Sequence, residues 1–218
     1  MLVIAHRGLH HDVPENSLAA FERAVAAGAD GIETDVRLSS AGELVLFHDH
    51  YAPDGSPVRR LTRSQLSSIC KYEVPSLPET LSMFPDVLWN LEIKSRDAVG
   101  PLTAFLRQKA DLGKIFISSF MHTLVLQMSS DLFVRGGLLV AHEPLRDSIE
   151  WMFPSYARQR LSSIIFDFQV ITEATIRAAL QDGLYVYVYN TISPEDHVQA
   201  QHWGLHGVIT DHPERLYS

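Results

Sequence analysis

Gly31-Ile32-Glu33-Thr34-Asp35-Val36-Arg37-Leu38 reads as a strand with two carboxylates on one face, because alternate strand residues project to the same side. Taken alone, that alternation describes any strand with one solvated face. Its neighbours change the reading. Upstream, the apolar run Leu2-Val3-Ile4-Ala5 meets His6-Arg7-Gly8 as a buried strand meets its loop, with a glycine that permits turns other residues resist. Downstream, Val87-Leu88-Trp89-Asn90-Leu91-Glu92-Ile93-Lys94-Ser95 is a second mostly apolar strand, and its spacing puts Glu92 and Lys94 on a shared face. Leu44 to Phe47 is a further extended run, ending at His48-Asp49. Crowded carboxylates inside a barrel or cleft are costly without a compensating cation or a shared proton. Glu33, Asp35 and Glu92, with Lys94 beside them and His6 and His48 at strand ends, suit an all-oxygen site for a hard divalent cation flanked by an acid/base pair.

Beyond these strands the chain alternates helix and strand. Pro14-Glu15-Asn16-Ser17 opens a helix, with asparagine or serine as its N-cap, and Gly28 closes it. Helical spacing is predicted over 62–69, 78–84, 101–111, 122–130, 146–158, 173–181 and 194–203, and extended runs over 114–120, 136–141, 163–168, 185–190 and 207–211. About eight alternations with Gly- or Pro-marked joints predict parallel strands and crossover helices. The expectation is an α/β fold: one (β/α)8 TIM barrel over residues 1–218, with a short insertion after the second strand unit. An open doubly wound sheet is the competitor. The barrel is favoured because the charged candidates end several different strands and no Gly-x-Gly-x-x-Gly follows the first. The polar segment 50–74, with Pro53 and Pro57, reads as a short lid or rim.

A chain of 218 residues, 46% of them hydrophobic, can fill one core and is short for two domains. Its formal net charge of −8 argues against a general nucleic-acid or anionic-membrane binder. An anionic ligand can still be bound if Arg7, Lys94 and a cation reverse the sign locally. The one cysteine, Cys70, cannot form an intrachain disulfide and reads as a buried small side chain. No apolar run is long enough to span a bilayer, and the first strand begins almost at Met1, so the expected compartment is the cytoplasm.

His6-Arg7-Gly8, Pro14-Glu15-Asn16-Ser17, Gly28 to Val36, His48-Asp49, Glu92-Ile93-Lys94 and Thr210-Asp211-His212-Pro213 together closely resemble the glycerophosphodiester phosphodiesterase family, over nearly the whole chain. The resemblance implies a TIM barrel, a divalent ion (Mg²⁺ or Ca²⁺) held by Glu33, Asp35 and Glu92, and general acid/base histidines at His6 and His48. It also implies phosphate contacts from Arg7 and Lys94, with Glu15 a further substrate-side residue. The expected reaction is metal-dependent hydrolysis of a small glycerophosphodiester to glycerol 3-phosphate and an alcohol, within lipid and glycerol metabolism. Which histidine acts as base, and whether water or a neighbouring substrate hydroxyl attacks, stay open. Two rivals are a lysophospholipid or sphingolipid phosphodiesterase on the same barrel and a non-catalytic phosphodiester-binding barrel.

The chain departs from the family in one wall. Tyr187-Val188-Tyr189-Asn190 stands where a tryptophan-centred Trp-Thr-Val-Asn is usual, so Tyr187 and Phe120 read equally as core or pocket wall. Asp211 reads as orienting a histidine or capping a turn. His10 and His11 read as loop residues near the site, His50 as a lesser candidate, and His122, His142, His197, His202, His206 and His212 as surface or rim, since they lack ligand spacing.

Overall fold

The computed structural model describes residues 1–143 and 161–216. Eight parallel strands run β1 (Leu2–His6), β2 (Gly31–Leu38), β4 (Leu88–Ile93), β5 (Ile115–Ser119), β6 (Arg135–Val140), β7 (Leu161–Asp167), β8 (Tyr185–Tyr189) and β9 (Gly207–Thr210). Each pairs with the next, and β1 pairs with both β2 and β9, so the sheet closes on itself as a TIM barrel. The remaining strand, β3 (Leu44–Leu46), lies outside, antiparallel to β2. Helices α1 (Leu18–Ala26), α3 (Leu77–Met83), α4 (Val99–Leu106), α5 (His122–Leu132), α6 (Glu173–Gln181) and α7 (Pro194–His202) lie between barrel strands, while α2 (Arg63–Cys70) belongs to the insertion. The helix expected over 146–158 lies outside the described residues.

Strand alternation sorts the apolar residues into two cores. Ala5, Ile32, Val36, Leu91, Ile93 and their equivalents face outward and pack beneath the helices, Phe21 of α1 and Leu102 of α4 among them. Ile4, Phe116, Leu139, Ile165, Tyr187 and Ile209 face inward and fill the barrel. Tyr187 is therefore core, 5% exposed and stacked on Phe116 at 5.8 Å between ring centres. It fits because Gly207 opposes it: a Cβ at Gly207 would stand 2.8 Å from the Tyr187 ring. Above this apolar plug, the next inward positions on β2 and β4 are Glu33, Asn90, Asp35 and Glu92, in register as Glu33 opposite Asn90 and Asp35 opposite Glu92. The polar site thus sits at the carboxyl end of the strands, on a dry floor.

Residues 50–74 do not form a lid. They pack outboard on a small core of their own, built from Val45, Phe47, Ala52, Val58, Leu66 and Val74, and none of them lines the cavity described below. No described helix is long and apolar enough to cross a membrane. Cys70 is half-buried rather than buried; burial raises its thiol pKa, which disfavours the nucleophilic thiolate.

Candidate functional site

A cavity of about 410 Å³ opens at the carboxyl end of the barrel, and His6, Arg7, Glu33, His48, Glu92 and Lys94 all line it. Asp35 lies beneath it, fully buried. Oxygens of Glu33, Asp35 and Glu92 come within 4.8 Å of one another, as the strand spacing predicts.

Two loops lock the cage. After β1 the chain turns through Arg7 (φ 55°) and Gly8 (φ 81°), conformations that glycine adopts freely and an arginine only rarely. A Cβ at Gly8 would stand 2.7 Å from the Ala20 backbone, so only glycine lets this loop lie against α1. The turn aims the Arg7 backbone N–H at Glu33 Oε2 (3.1 Å) and its guanidinium Nη1 at Glu15 Oε2 (2.9 Å). Arg7 Nε stands 3.2 Å from Asp35 Oδ2, an ion-pair distance, but is misaligned for a hydrogen bond. Asn16, buried at φ 54°, does not cap α1; Ser17 does, accepting from the Ala20 N–H. Instead Asn16 donates Nδ2–H to Asp35 Oδ2 (2.8 Å), and its Oδ1 accepts from the Thr34 hydroxyl (2.6 Å) and the Asp35 N–H (3.2 Å).

Lys94, one residue past β4, donates to Glu92 Oε1 (2.8 Å) and stands 3.5 Å from Asp35 Oδ1. Glu33 Oε1 and Asp35 Oδ1 nevertheless remain buried without a hydrogen-bond donor. Burial, then the Asp35 and Glu92 charges, push Glu33 well above the usual carboxylate range; burial and Asp35 likewise raise Glu92. For Asp35 burial acts upward too, but Arg7, Lys94 and the Asn16 amide outweigh it and hold the group ionised. Two orphaned oxygens in an all-oxygen, net-negative cage fit a hard cation, since opposite ligands of an octahedral Mg²⁺ lie about 4 Å apart and those of Ca²⁺ about 5 Å.

The histidines flank this cage. His6 Nδ1 lies 2.7 Å from Asp211 Oδ1 and His48 Nδ1 lies 2.9 Å from Asp49 Oδ1. An ionised carboxylate can only accept, so each Nδ1 carries the proton and each Nε2 is left to exchange one. His6 Nε2 stands 3.9 Å from Glu33. Asp211 also receives His10 Nε2 at 3.3 Å; despite its burial, these two histidines hold its pKa far below the ordinary value. Asp211 is thus an orienting residue. On the other side, Arg37 donates Nε–H (2.9 Å) and Nη2–H (2.6 Å) to the His48 carbonyl and meets His50 Nδ1 at 3.2 Å.

The sequence candidates therefore converge, except that Glu15 stands one step back, holding Arg7 without lining the cavity. Asn16, Arg37 and Asp211 emerge as supporting residues. A second capping-type residue beside Ser17 was the one signal for Asn16. Phe120, 48% exposed, is pocket wall, and with Leu139, Tyr189, Ile192 and Ile209 it gives the cavity an apolar side. His197, expected at the surface, is buried between Thr191 Oγ1 (2.9 Å) and Thr210 Oγ1 (3.0 Å).

The sequence profile of the glycerophosphoryl diester phosphodiesterase family matches residues 6–215. A glycerophosphodiester phosphodiesterase of Caldanaerobacter subterraneus subsp. tengcongensis is 30% identical over 244 residues, covering 99% of this chain and 96% of that one. A glycerophosphodiester phosphodiesterase crystal structure from Thermotoga maritima superposes with a TM-score of 0.83 at 26% identity, covering 100% of this chain and 97% of that one. An Oleispira antarctica phosphodiesterase, solved in complex with the product sn-glycerol-3-phosphate, has a TM-score of 0.81 at 23% identity and covers 100% and 95%.

Proposed function

Since this chain belongs to the glycerophosphoryl diester phosphodiesterase family and is an enzyme of that class, we propose that it hydrolyses glycerophosphodiesters to glycerol 3-phosphate and an alcohol, with a divalent cation on Glu33, Asp35 and Glu92. The observation that carries this reading is the pair of buried, undonated oxygens on Glu33 and Asp35, aimed into a cage shared with Glu92. A bound Mg²⁺ or Ca²⁺ supplies Lewis-acid polarisation of a nonbridging phosphate oxygen. Arg7 and Lys94 neutralise charge that develops on the phosphoryl group. One of His6 and His48 takes the proton of the attacking hydroxyl through Nε2, and the other protonates the leaving oxygen; Asp211 and Asp49 hold the rings for this. Glu15 acts through Arg7. Residues 1–218 work as one domain, in the cytoplasm, and the half-buried free thiol of Cys70 suits a reducing compartment.

The complexed relative supports the glycerol 3-phosphate half of the substrate. The apolar residues of the cavity wall favour a second reading: a lysophospholipid, whose acyl chain, carried on the glycerol moiety, would lie against Phe120 and Ile192. Metal-stripped protein should release glycerol 3-phosphate from glycerophosphocholine or glycerophosphoglycerol only after Mg²⁺ or Ca²⁺ is restored. His6→Ala and His48→Ala should each lose on the order of 10²- to 10⁴-fold in turnover. No release with either ion, despite retained substrate binding, would leave a phosphodiester-binding barrel instead.

A further inference from the structure

At the rim of the same cavity, we propose a second cation site of a different chemical class: His11, His212 and Glu214, taking Zn²⁺. It is independent of the reaction assigned above. Barrel closure creates it. Because β1 pairs with β9, the loop after β1, which carries His11, meets the 3-10 turn Pro213–Leu216, which carries Glu214 with His212 just ahead of it.

Both imidazoles approach one oxygen. His212 Nδ1 lies 3.2 Å and His11 Nε2 lies 3.6 Å from Glu214 Oε1, and donor atoms of all three lie within 4.8 Å of one another. On a tetrahedral zinc ion with bonds of 2.0–2.2 Å, neighbouring donors stand about 3.3 Å apart, so two of the three edges already have the right length. The side chains are 41% (His11), 26% (His212) and 42% (Glu214) exposed, which leaves freedom to tighten the third edge and open positions for water. The two rings lie 4.6 Å apart, tilted by 27°.

Donor chemistry separates this group from the cage below. Two imidazoles and a carboxylate suit a borderline ion, whereas three carboxylates suit Mg²⁺ or Ca²⁺. Simple His–Glu pairing at so exposed a position contributes little on its own, and the stacked His11 and His212 rings hold the two imidazoles side by side. An ion here would pin the first loop to the last turn. It would also put positive charge at the cavity mouth, since His212 lines it and the same loop carries His10, which contacts Asp211.

The test is calorimetric titration of the whole protein with Zn²⁺ in a large excess of Mg²⁺, which keeps the carboxylate cage filled. One Zn²⁺ should bind per chain. His212→Ala, His11→Ala and Glu214→Gln should each weaken it by roughly 100-fold or more, since even outer-shell partners of metal ligands are worth 10–100-fold. Glu33→Gln should leave it unchanged. Zinc X-ray absorption should show nitrogen and oxygen donors from wild type. The proposal is overturned if Zn²⁺ fails to bind, if His212→Ala binds it as wild type does, or if only Glu33→Gln abolishes it. Because the three side chains are exposed, the variants should melt like wild type in EDTA.

Discussion

At Glu33 the needs of stability and of the site pull in opposite directions. Its side chain is buried beside two other carboxylates, with one oxygen undonated, which costs free energy that only a cation returns. Glu33→Gln keeps the shape and removes one charge. In EDTA this variant should therefore unfold later than wild type, with a gain of about 1–4 kcal/mol, the range seen when buried ionic groups are replaced by neutral ones of similar volume. Metal-dependent turnover should fall on the order of 100-fold, as when one charge-stabilising group is lost. Thermal melts in EDTA, paired with phosphodiester assays, check both, and an earlier melt for the variant would contradict the account. Arg37 makes a different prediction. Arg37→Met leaves the His48 carbonyl without two donors, which should cost about 1–3 kcal/mol. It should lower kcat with little change in KM, because His48 would be less well placed while the phosphate contacts remain; Arg37→Lys should recover part of kcat. Equal effects on both constants would rule out a positioning role. Glu33, Asp35 and Glu92 were legible in the sequence because a period of two fixes which residues share a face. Asn16 was not, since its role depends on a left-handed loop residue, and Asp211 was legible only as an orienting or capping residue, because the choice between the two depends on which strands become neighbours.

Among the elements, α7 couples local chemistry to the site. Its N-terminus follows Asn190, Thr191 and Ile192, all of which line the cavity, and Ser193 and Asp196 close it with a capping box. Asp196 Oδ2 accepts the N–H groups of Ile192 (2.7 Å) and Ser193 (3.1 Å) and the Gln169 amide (3.1 Å). Burial pushes the Asp196 pKa upward, but these donors prevail and hold it below the ordinary value. A carboxyl depressed on folding stabilises fully above its unfolded pKa, about 3.9, and ceases to do so as pH falls through the folded value. Asp196→Asn should therefore cost about 1 kcal/mol at pH 7, a typical cap contribution, and the difference from wild type should shrink below about pH 4. Melts at a series of pH values test this; a constant difference would show that the charge is irrelevant. The helix over 194–203 was readable from its spacing, but its capping box came only with the structure, and helix ends are less readable still. The helix expected over 101–111 spans Val99–Leu106, because the 3-10 turn Arg96–Ala98 feeds straight into it and the polar residues after Leu106 bring no apolar face.

For the molecule as a whole, eight alternations of strand and helix predicted parallel strands and, with charged residues ending several of them, favoured a closed barrel over an open sheet, and the sheet does close. Closure rests on β1 finding β9, a contact between the two ends of the chain that no local pattern encodes. The same closure brings Asp211 to His6, so the candidate site and the barrel seam are one structure. Metal should therefore report on global stability. A cation that binds the folded cage and not the unfolded chain stabilises by RT ln(1 + [L]/Kd), about 2.7 kcal/mol when the ion is at a hundred times Kd. At 2–4 °C per kcal/mol for a domain of this size, Mg²⁺ or Ca²⁺ should raise Tm by roughly 5–10 °C above the EDTA value. Arg7 and Lys94 already offset part of the carboxylate charge, which is why the metal-free barrel should still fold and why the shift is finite. In Glu33→Gln the shift should nearly vanish, with the EDTA melt moved upward. Scanning calorimetry of both proteins with and without the ion decides the matter: equal shifts in the two would mean that the cation stabilises the barrel from somewhere other than the cage.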